Sequence, residues 1–583
     1  MKDRQHSDDR LHDHLHTSRF ILSADALAYR LSEDDLTPVN ATRFDRNATL
    51  VALGENAFDV LVIGGGITGA GVARDAAMRG LRVALVEQND FASGTSSRSS
   101  RLVHGGVRYL EHGQLHLVWE SSRERRTLLR IAPHLVRPLA FTWPVYRNAR
   151  VPRWKLAIGL TMYDALALFR NVGRHVRLNA RGVMAKEPRL LSAGLTGGAQ
   201  YWDAATDDVR LTLANMMSAR AHGAVILNHA RVSGVLRDDA GRVTGARVID
   251  VESGAMCEVR AKVTVNAAGP WSDRVEEMVQ PTTKTAVRGS KGVHVAVPRS
   301  RVGNIAAITL TAPQDGRVMF VLPAGAFTII GTTDTFEDVE PSDVRASEAD
   351  VAYLLASANH HFPDARLTRA DVVSAWAGLR PLAAATGAHE DPGNVSREHT
   401  IDEPSPGLVR VTGGKLTTYR AMAAQVVDVL VRLIGKGGGG ARTDDEALDG
   451  GALDNVNATI VEATRATADP VIAERLVHAH GVEWPQVWAL AANDAALLAR
   501  VSPERPYILA ELRYGVEREM ARTLGDLLIR RVPLAFETAD NGRDAARHVA
   551  PIVAGWLRWD AAAIDLALVA YDREVSSMFD VER

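Results

Sequence analysis

Three glycines that follow an apolar run are the first residues whose spacing suggests chemistry. The run Phe58–Ile63 reads as a buried strand and leads directly into a GxGxxG motif at Gly64, Gly66 and Gly69. In such a motif the first glycine permits a tight turn, the second lets the backbone approach a pyrophosphate, and the third lets the next helix pack on the strand. The amino end of that helix offers N–H groups and a positive dipole to phosphate. The motif therefore predicts a nucleotide site.

The surroundings of the motif support this prediction. An alanine-rich helical pattern runs to about Arg79, Gly80 stops it, and a second strand pattern covers residues 82–86. An acid, Glu87, follows that strand and is placed to accept hydrogen bonds from ribose hydroxyls, which favours a free ribose over a 2′-phosphate. A bound nucleotide is expected, and both FAD and NAD fit this half of the pattern.

Two further segments favour FAD. A hydroxyl-rich loop with the sequence TSSRSSRLVHGG covers residues 95–106, and such a loop can line a second phosphate and bring backbone close to a flat ring. A strand pattern at residues 264–271 ends in small residues, which suits close approach by a cofactor. The cofactor contacts predicted outside the glycine motif and Glu87 are Thr95, Ser96, Ser97, Gly105, Gly106, Val232, Ala268 and Gly269.

Length and composition limit the classes of protein. At 583 residues the chain is too long for one compact core, so two or three domains are expected. It is 46% hydrophobic and 24% charged, and a formal net charge of −2 argues against binding nucleic acid through the whole surface. The single cysteine, Cys257, forms no intramolecular disulfide, is too little for a cysteine zinc site or an iron–sulfur cluster, and fits a reducing compartment. We expect no metal and no nucleic-acid partner.

The chain divides into three regions. Residues 1–57 are polar and contain His6, His12, His14 and His16. These histidines form either a metal site or part of a solvated extension, and the extension is favoured because no further ligand group follows at suitable spacing. Residues 58–435 show an α/β pattern, and the glycine-rich run at 435–440 reads as a linker. Residues 441–583 predict a small all-helical domain.

Local patterns place elements inside these regions. Short β-branched segments predict antiparallel strands at residues 224–235, 243–251, 293–298 and 318–333. Apolar residues at helical spacing predict helices within residues 506–531 and 560–571. The sequence has no run of about 18 apolar residues, the length that a spanning helix needs, and no apolar secretory core near its start. Any membrane contact is therefore expected to be peripheral.

The glycine motif, the hydroxyl-rich loop and several further segments resemble the FAD-dependent, quinone-linked glycerol-3-phosphate dehydrogenases of aerobic respiration. The shared segments are TSSRSSRLVHGGVRYLEHG at 95–113, APHLVRP at 132–138, VNAAGPW at 265–271, IIGTTDT at 329–335, GLRPL at 378–382 and TGGKLTTYR at 412–420. They run in order over most of the α/β region, and the C-terminal helical segment also looks like this family's cap domain. One departure is KGVH at 291–294, where the family often has KGSH.

The resemblance implies a fold and an activity. The implied fold class is α/β, with a Rossmann-type FAD-binding domain interleaved with an antiparallel-sheet substrate domain and followed by a C-terminal all-α domain. The implied activity is oxidation of sn-glycerol 3-phosphate to dihydroxyacetone phosphate by hydride transfer to FAD, with electrons passed to a membrane quinone. The implied location is peripheral, on the cytoplasmic face of the cell membrane. The family resemblance leaves the choice between monomer and homodimer open.

Oxidising an alcohol beside a phosphate requires an anion clamp, a proton acceptor and an electrophilic ring. Arg108, Arg380 and Lys415 are the predicted clamp and catalytic cations, because each follows or lies in a glycine-containing loop from which a long side chain can reach into a cleft. Arginine offers a planar fork to phosphate oxygens, whereas lysine offers a point charge. Arg397 is added as a substrate contact from its family position.

His104 is the predicted general base. A neutral imidazole near the ring can accept the hydroxyl proton, and cationic neighbours would keep it neutral. The alternative is a histidine that only orients the loop or the ring, and Tyr109 either donates to phosphate or packs. By family position, the segment Lys415-Leu416-Thr417-Thr418 is expected to present backbone N–H groups to the pyrimidine end of the ring. Gly414, Leu416 and Thr417 are predicted cofactor contacts, and Thr418 is a predicted substrate contact.

A basic and apolar segment favours contact with a membrane surface. Residues 147–163 read RNARVPRWKLAIGLTMY, and cations beside tryptophan and aliphatic side chains suit an interface with anionic lipid. Four arginines on the preceding predicted helix are expected to widen this basic face: Arg123, Arg125, Arg126 and Arg130. The alternative is a helix packed into the substrate domain with a solvated cap.

Three other functions stay open at this point. A glycerol-3-phosphate oxidase shares the flavin and substrate motifs but passes electrons to O2. An amine or amino-acid oxidase shares the flavin fold. A non-catalytic flavin-binding scaffold belongs to a different class, and the dense set of cleft cations disfavours it.

Overall fold

The fold is seen in a computed structural model that describes residues 44–168, 171–280, 287–337, 339–383, 398–436 and 439–582, without the side chains at 108, 112 and 383. The strands are β1 (Ala57–Ile63), β2 (Val83–Val86), β3 (Leu102–Val103), β4 (Val136–Tyr146), β5 (Val176–Asn179), β6 (Leu195–Thr206), β7 (Val225–Leu227), β8 (Ala230–Arg237), β9 (Val243–Asp250), β10 (Met256–Asn266), β11 (Val287–Pro298), β12 (Ala307–Thr311), β13 (Val318–Ala324), β14 (Phe327–Gly331), β15 (Thr335–Phe336), β16 (Ser374–Ala383), β17 (His399–Ser405) and β18 (Leu408–Gly413). The helices are α1 (Arg46–Glu55), α2 (Ile67–Met78), α3 (Leu115–Ile131), α4 (Arg153–Leu166), α5 (Ala180–Lys186), α6 (Asp208–Ala221), α7 (Ser272–Glu277), α8 (Arg299–Val302), α9 (Glu348–His361), α10 (Tyr419–Ile434), α11 (Val456–Thr467), α12 (Pro470–His480), α13 (Trp484–Asn493), α14 (Leu509–Glu517), α15 (Leu534–Glu537), α16 (Arg543–Leu557) and α17 (Ala561–Phe579).

The first sheet has the strand order β17-β18-β10-β1-β2-β7, with β9 added to β10 and β8 to β9. β1 pairs in parallel with both β10 and β2, and its apolar run is buried on both faces, as parallel strands require. In this register Ile63 lies opposite both Val86 and Asn266. The three strands therefore end at one edge of the sheet, and the residues that follow them meet there. Helices α2, α6 and α10 cover one face.

The second sheet has the order β15-β11-β14-β13-β12-β4-β6-β3, with β16 paired to β11 and β5 to β6. Every pair except β12 with β4 is antiparallel. The segment at 318–333, predicted as antiparallel strands, forms the hairpin of β13 and β14, and Gly325 adopts a left-handed φ of 60° at its turn. The segment at 224–235 contains two strands, β7 and β8. The two sheets confirm the predicted α/β fold class.

The C-terminal region is helical, as predicted. Helix α10 ends at Ile434 where Gly435 takes a left-handed conformation, and residues 437 and 438 of the predicted linker lie outside the described residues. The helical pattern at 506–531 is not one helix: α14 ends at Glu517, and a π-helical turn covers Asp526–Arg531. The break is stabilised by the Asp526 carboxylate, which accepts hydrogen bonds from the N–H groups of Arg522 and Thr523.

The fold begins before the predicted boundary at residue 58. Residues 1–43, including the four histidines, lie outside the described residues, but α1 packs on the first sheet through buried Leu53. Arg46 is also buried, and its guanidinium donates to the Asp250 carboxylate and to the carbonyl oxygen of Asn228. The Arg46 contacts explain why α1, which lies in the segment predicted as a polar extension, is packed on the first sheet. These are contacts across some 200 residues that local pattern does not show.

Among the helices in the described ranges, none combines the length and apolar character that crossing a bilayer demands.

Candidate active site

A cavity of about 940 Å³ lies between the two sheets and receives residues from both. Its walls include the ends of β1, β2 and β10 in the first sheet and β6, β11, β13 and β16 in the second. The predicted site residues that line it are Gly64, Gly66, Glu87, Thr95, Ser96, His104, Gly106, Tyr109, Val232, Ala268, Gly269, Arg380, Gly414, Lys415, Leu416 and Thr417. Segments that are far apart in sequence are therefore brought together at one cavity.

One end of the cavity is built around the glycine motif. The Glu87 carboxylate accepts hydrogen bonds from the N–H groups of Gly65 (2.6 Å) and Asn89 (2.9 Å), so the acid is fixed beside the turn after β1. The Ser96 hydroxyl oxygen accepts from the N–H of Ile67 (2.9 Å) at the amino end of α2. The hydroxyl-rich loop and the glycine motif thus form one surface.

Four predicted residues stand behind the cavity wall rather than on it. A side chain at Gly69 would clash with the carbonyl oxygen of Gly64, which is the close packing of helix on strand that the motif predicts. Gly105 donates its N–H to Asp203 (3.1 Å), and Ser97 donates its hydroxyl to the carbonyl oxygen of Gly94 (3.2 Å). Thr418 is buried at the start of α10.

Two further predicted residues cannot be placed. The side chain of Arg108 and the whole of Arg397 lie outside the described residues. Their proposed contacts with substrate therefore stay predictions.

The other end of the cavity is rich in cations. Arg380 lies inside β16 and not in the predicted glycine-containing loop, because the pairing of β16 with β11 continues through Gly378 and Arg380. It donates to the Asp334 carboxylate (3.0 Å) and to the Thr332 hydroxyl (3.1 Å). Arg317 lies 3.6 Å from the other oxygen of Asp334. The ammonium nitrogen of Lys415 lies 3.7 Å from the centre of the Tyr109 ring, a cation–π contact. One buried carboxylate therefore holds two arginines at the cavity wall, and an aromatic face holds the lysine.

His104 enters the cavity from the loop after β3. Its N–H donates to the Thr417 hydroxyl (3.1 Å), and its ring meets the Phe320 ring edge-on at 6.4 Å between centroids. The next residue, Gly105, is tied to Asp203, which also accepts from Tyr163 (2.6 Å) and is paired with Arg125. The predicted base thus sits on a loop fixed by a buried polar network.

A second histidine, which the predicted site omitted, also lines the cavity. His294 on β11 is 2% exposed, bonds the Ser100 hydroxyl through Nε2 (2.8 Å) and stacks on Trp376 at 14°. Its Nδ1 has no hydrogen-bond partner among the residues that the structure describes. Burial, and then the charges of Arg380 and Arg101, lower its pKa to about 3, so the ring is neutral. The signal in the sequence is the KGVH segment at 291–294, where valine replaces the serine of the family's KGSH. That departure did not point to the histidine as a cavity residue.

One face of α4 is exposed, as the membrane-contact prediction requires, and the other face is packed into the core. Trp154, Ile158 and Met162 recur along one face of α4 and are 68, 54 and 40% exposed. Lys155 is exposed beside them, and α3, which packs against α4, exposes Trp119. The remaining apolar residues of the segment, such as Leu156, point into the core.

One arginine expected on this basic face is not there. Arg125 is buried and pairs with Asp203 and Tyr163, so the prediction that it widens the surface is wrong. The physical reason is that a buried carboxylate needs a counter-charge. Arg123, Arg126 and Arg130 are exposed as expected.

A sheet with a parallel centre and a glycine turn, sharing a cavity with a mainly antiparallel sheet, agrees with the class of FAD-dependent oxidoreductases. The family model described as "FAD dependent oxidoreductase" matches residues 59–428, and the model described as "C-terminal domain of alpha-glycerophosphate oxidase" matches residues 441–564. The chain is 40% identical over 534 residues to glycerol-3-phosphate dehydrogenase 2 of Mycobacterium tuberculosis, covering 90% of this chain and 89% of the relative. It is 34% identical to the aerobic glycerol-3-phosphate dehydrogenase of Staphylococcus saprophyticus, covering 91 and 95%.

A solved structure agrees with these relatives. The glycerol-3-phosphate dehydrogenase from Bacillus halodurans complexed with FAD superimposes with a TM-score of 0.76 at 33% identity, covering 91% of this chain and 97% of that one. The chain belongs to the FAD-dependent glycerol-3-phosphate dehydrogenase family, and its cofactor is FAD.

The cavity offers what FAD requires. The glycine turn lets backbone approach a pyrophosphate, and Glu87 stands where a ribose is expected. Arg98 adds a cation: burial lowers its pKa only to about 10, so it stays charged. Its Nη1 donates to the carbonyl oxygen of Ala377 (3.4 Å), while its Nε has no hydrogen-bond partner among the described residues. A positive charge with an unused donor at the cavity wall fits an anionic ligand. Gly64, Gly66, Ser96, Glu87 and Arg98 are therefore the residues that would hold the cofactor.

The pKa of His294 predicts how stability depends on pH. The pKa of His294 is about 3 in the folded protein, below its usual value of 6.5. Between these two pH values the unfolded chain is therefore protonated at this histidine and the folded chain is not. The stability from a neutral His294 is present above pH 6.5 and is lost as pH falls towards 3, at up to about 1.4 kcal/mol per pH unit. We expect the difference in free energy of unfolding between wild type and His294→Asn to shrink along that slope in denaturant titrations from pH 7.5 to 4.5. A constant difference would contradict a buried neutral ring.

Proposed function

We propose that this protein oxidises sn-glycerol 3-phosphate to dihydroxyacetone phosphate and passes the electrons to a membrane quinone. The observation that carries the proposal is the set of cations at one end of the cofactor cavity, contributed by β16, by the start of β13 and by the loop before α10. Arg380, Arg317 and Lys415 suit a small doubly anionic phosphate ester. The names of the relatives support the same substrate.

The cations bind and orient the substrate in this proposal. Arg380 and Lys415 take the phosphate, with Arg108, Arg397 and Thr418 as further contacts proposed from family position, and Tyr109 supports Lys415 through its ring face. Asp334 keeps Arg380 aimed into the cavity. When bound, FAD would supply the acceptor for the hydride that leaves the carbinol carbon, and it would carry the two electrons that are then passed to quinone.

The proton of the reacting hydroxyl needs an acceptor on the protein. His104 is the proposed base, because it lines the cavity on a loop fixed by Thr417 and Asp203. His294 is the second candidate, since it lines the same cavity as a neutral ring whose Nδ1 has no hydrogen-bond partner within the described part of the chain. Both line the same cavity as Arg380 and Lys415.

Attachment to a membrane is part of the proposal because quinone is a lipid-phase acceptor. The exposed apolar face of α4, flanked by exposed Arg150 and Lys155, has the character of an interfacial helix. We place the protein peripherally on the cytoplasmic face of the cell membrane.

A second candidate function is an oxidase that uses O2. It is favoured by one observation, the match of residues 441–564 to a domain named for alpha-glycerophosphate oxidase. The two functions share their substrate and differ only in the acceptor.

Anaerobic mixing tests the proposed reaction. Adding sn-glycerol 3-phosphate should bleach the visible flavin absorbance, and glycerol should not, because it offers no phosphate to the clamp. A soluble quinone should restore the colour much faster than air; the reverse order would favour the oxidase. Arg380→Ala should raise the KM for the substrate by about 10- to 100-fold, the effect of losing a charged hydrogen bond. Exposed Arg260→Ala is the control, and an unchanged KM in Arg380→Ala would remove that residue from the clamp.

Measuring kcat in variants of His104 and His294 tests which of the two histidines is the general base. His104→Ala should lower kcat by about 10²- to 10⁴-fold with little change in FAD content, the usual cost of removing a general base. His294→Asn should cost much less. If His294→Asn has the larger effect on kcat, the base is His294, and if His104→Ala turns over normally, His104 only orients the loop.

Membrane binding is tested with vesicles. Wild type should cosediment with vesicles of phosphatidylglycerol and phosphatidylcholine at low salt, and less with phosphatidylcholine alone, because cations flank the apolar face. The double variant Trp154→Ser/Ile158→Ser should lose most of this binding. Leu566→Ser, which removes an equally exposed apolar residue on α17, is the matched control. Equal cosedimentation of all three proteins would exclude α4 as the attachment face.

A further inference from the structure

Two loops form the end of the cavity around Glu87. The first contains residues 87–90 after β2, and the second contains residues 228–232 at the turn from β7 into β8. Glu87, Asn89, Ala230, Arg231 and Val232 all line the cavity. Backbone hydrogen bonds join the loops, from the N–H of Ala230 to the carbonyl oxygen of Glu87 (2.7 Å) and from the N–H of His229 to that of Asn89 (2.7 Å). The two loops are therefore joined to each other, and they are called here the Glu87 loops.

Both Glu87 loops are held from behind by one stretch of the C-terminal helical domain, residues 519–531. Asn228 donates its side-chain amide to the carbonyl oxygen of Met520 (2.9 Å). The ring of His229 bonds Asp526 through Nε2 (2.9 Å). These contacts lie on the far side of the loops from the cavity, so they do not form part of the cofactor surface itself.

The strongest of these contacts is at Asp90. Its carboxylate receives Arg531 in a bidentate pair (2.6 and 3.0 Å), Arg530 through Nε (2.6 Å) and the amide of Asn228 (2.9 Å). Asp90, Arg530 and Arg531 are all at most 4% exposed. A buried charge is tolerated only while its partners stay in place, and losing one partner leaves the other charge unpaired. Asp90 thus ties the position of the cofactor loop to the position of two arginines in another domain.

This cluster is not a cation site. The carboxylates of Asp90 and Asp526 and the ring of His229 bring ligand atoms within 4.8 Å of one another, a spacing that a metal ion can use. Two guanidinium groups already face those oxygens, however, and a third cation would be repelled at such short range in a dry interior. Arg530 and Arg531 already neutralise Asp90 and Asp526. We therefore interpret the cluster as a structural link between the Glu87 loops and residues 519–531.

We propose that Arg530 and Arg531 of the C-terminal helical domain act, through Asp90, as positioning residues that hold the Glu87 loops in shape to retain FAD. The helical domain is then a cofactor clamp as well as a cap, although none of residues 519–531 lines the cavity. The inference concerns retention of the cofactor and goes beyond the proposed function, because it holds whichever substrate or acceptor the enzyme uses.

Linkage gives the proposal a reciprocal consequence. If docking of residues 519–531 raises affinity for FAD, then bound FAD must stabilise that docking by the same factor. The cofactor and the C-terminal domain are therefore expected to protect each other, although none of residues 519–531 lines the cavity.

The first experiment measures FAD release from the full-length holoenzyme. After dilution, recovery of free-flavin fluorescence should be about tenfold or more faster in Asp90→Asn and Arg531→Lys than in wild type, within the usual range of coupling between sites. With FAD kept saturating, kcat and the KM for substrate should be unchanged, because neither residue touches the cavity. Glu187→Gln is the matched control: this acid is also buried, in the substrate domain, where it accepts from the N–H groups of Ile305 and Ala306.

The control separates positioning from general destabilisation. Glu187→Gln should lower the melting temperature without changing FAD release. Release at the wild-type rate in folded Asp90→Asn and Arg531→Lys overturns the proposal, and so does equally accelerated release in Glu187→Gln.

The second experiment needs no variant and covers the case in which both variants fail to fold. Hydrogen exchange of wild-type peptides spanning 519–531 is compared between holoenzyme and protein depleted of FAD by dialysis against high salt. Exchange should be several-fold slower in the holoenzyme, while peptides of α16, none of whose residues lines the cavity, should be unaffected. Equal exchange of residues 519–531 in the two forms overturns the proposal. Both experiments are run without substrate, so a failed activity assay does not affect their outcome.

Discussion

The parallel pairing of β1 with β10 and β2 is the constraint on which the rest of the structure depends. In-register parallel strands end at one edge, so whatever follows each strand is delivered to the same place. Here that edge receives the glycine turn, the small residues after β10 and Glu87. Gly69 makes the arrangement possible, because only a residue without a side chain lets α2 approach the Gly64 carbonyl. The second sheet then closes the space above this edge into a cavity rather than a surface groove.

Charge organises the cavity once it is closed. Burial makes each charge costly unless it is paired, and the charged residues of this wall are paired with one another. Asp334 supports Arg380 and Arg317, and Asp203 pairs with Arg125 and accepts from Tyr163. Both acids line the cavity themselves, but each faces cations or donors of the protein, so neither is an unpaired negative charge. Tyr163 also belongs to α4, whose opposite face is exposed and apolar, so one helix carries both a buried support of the His104 loop and the proposed membrane contact.

The features that could be predicted are those that depend on local pattern. The β1 run, the glycine motif and Glu87 lie within 30 residues, and their spacing alone places them at one end of a sheet. Family segments extended the prediction to His104, Arg380 and Lys415, all of which line the cavity. Features set by distant partners could not be predicted in the same way. Arg125 looks like a surface charge until Asp203 is seen beside it, and α1 looks like an extension until Asp250 binds Arg46.

His294 shows a further limit of reasoning from sequence. Its motif was recognisable, but nothing in the neighbouring residues shows that the ring is stacked on Trp376, or that burial, followed by the charges of Arg380 and Arg101, lowers its pKa. The pairing of β16 with β11 brings Trp376 and Arg380 to His294, and Arg101 comes from the residue before β3.

The two ends of the cavity are supported by different parts of the chain, and this division bears on how the enzyme can vary. The cationic end is fixed within the second sheet, by Asp334 and by the polar network at Asp203. The Glu87 end is fixed by the helical domain through Asp90. Because the supports share no residue, changes in one are expected to leave the other nearly unaffected. Substrate preference can therefore change at the second sheet without loosening the cofactor, while the C-terminal domain is constrained wherever it meets the Glu87 loops, even though it lies outside the chemistry.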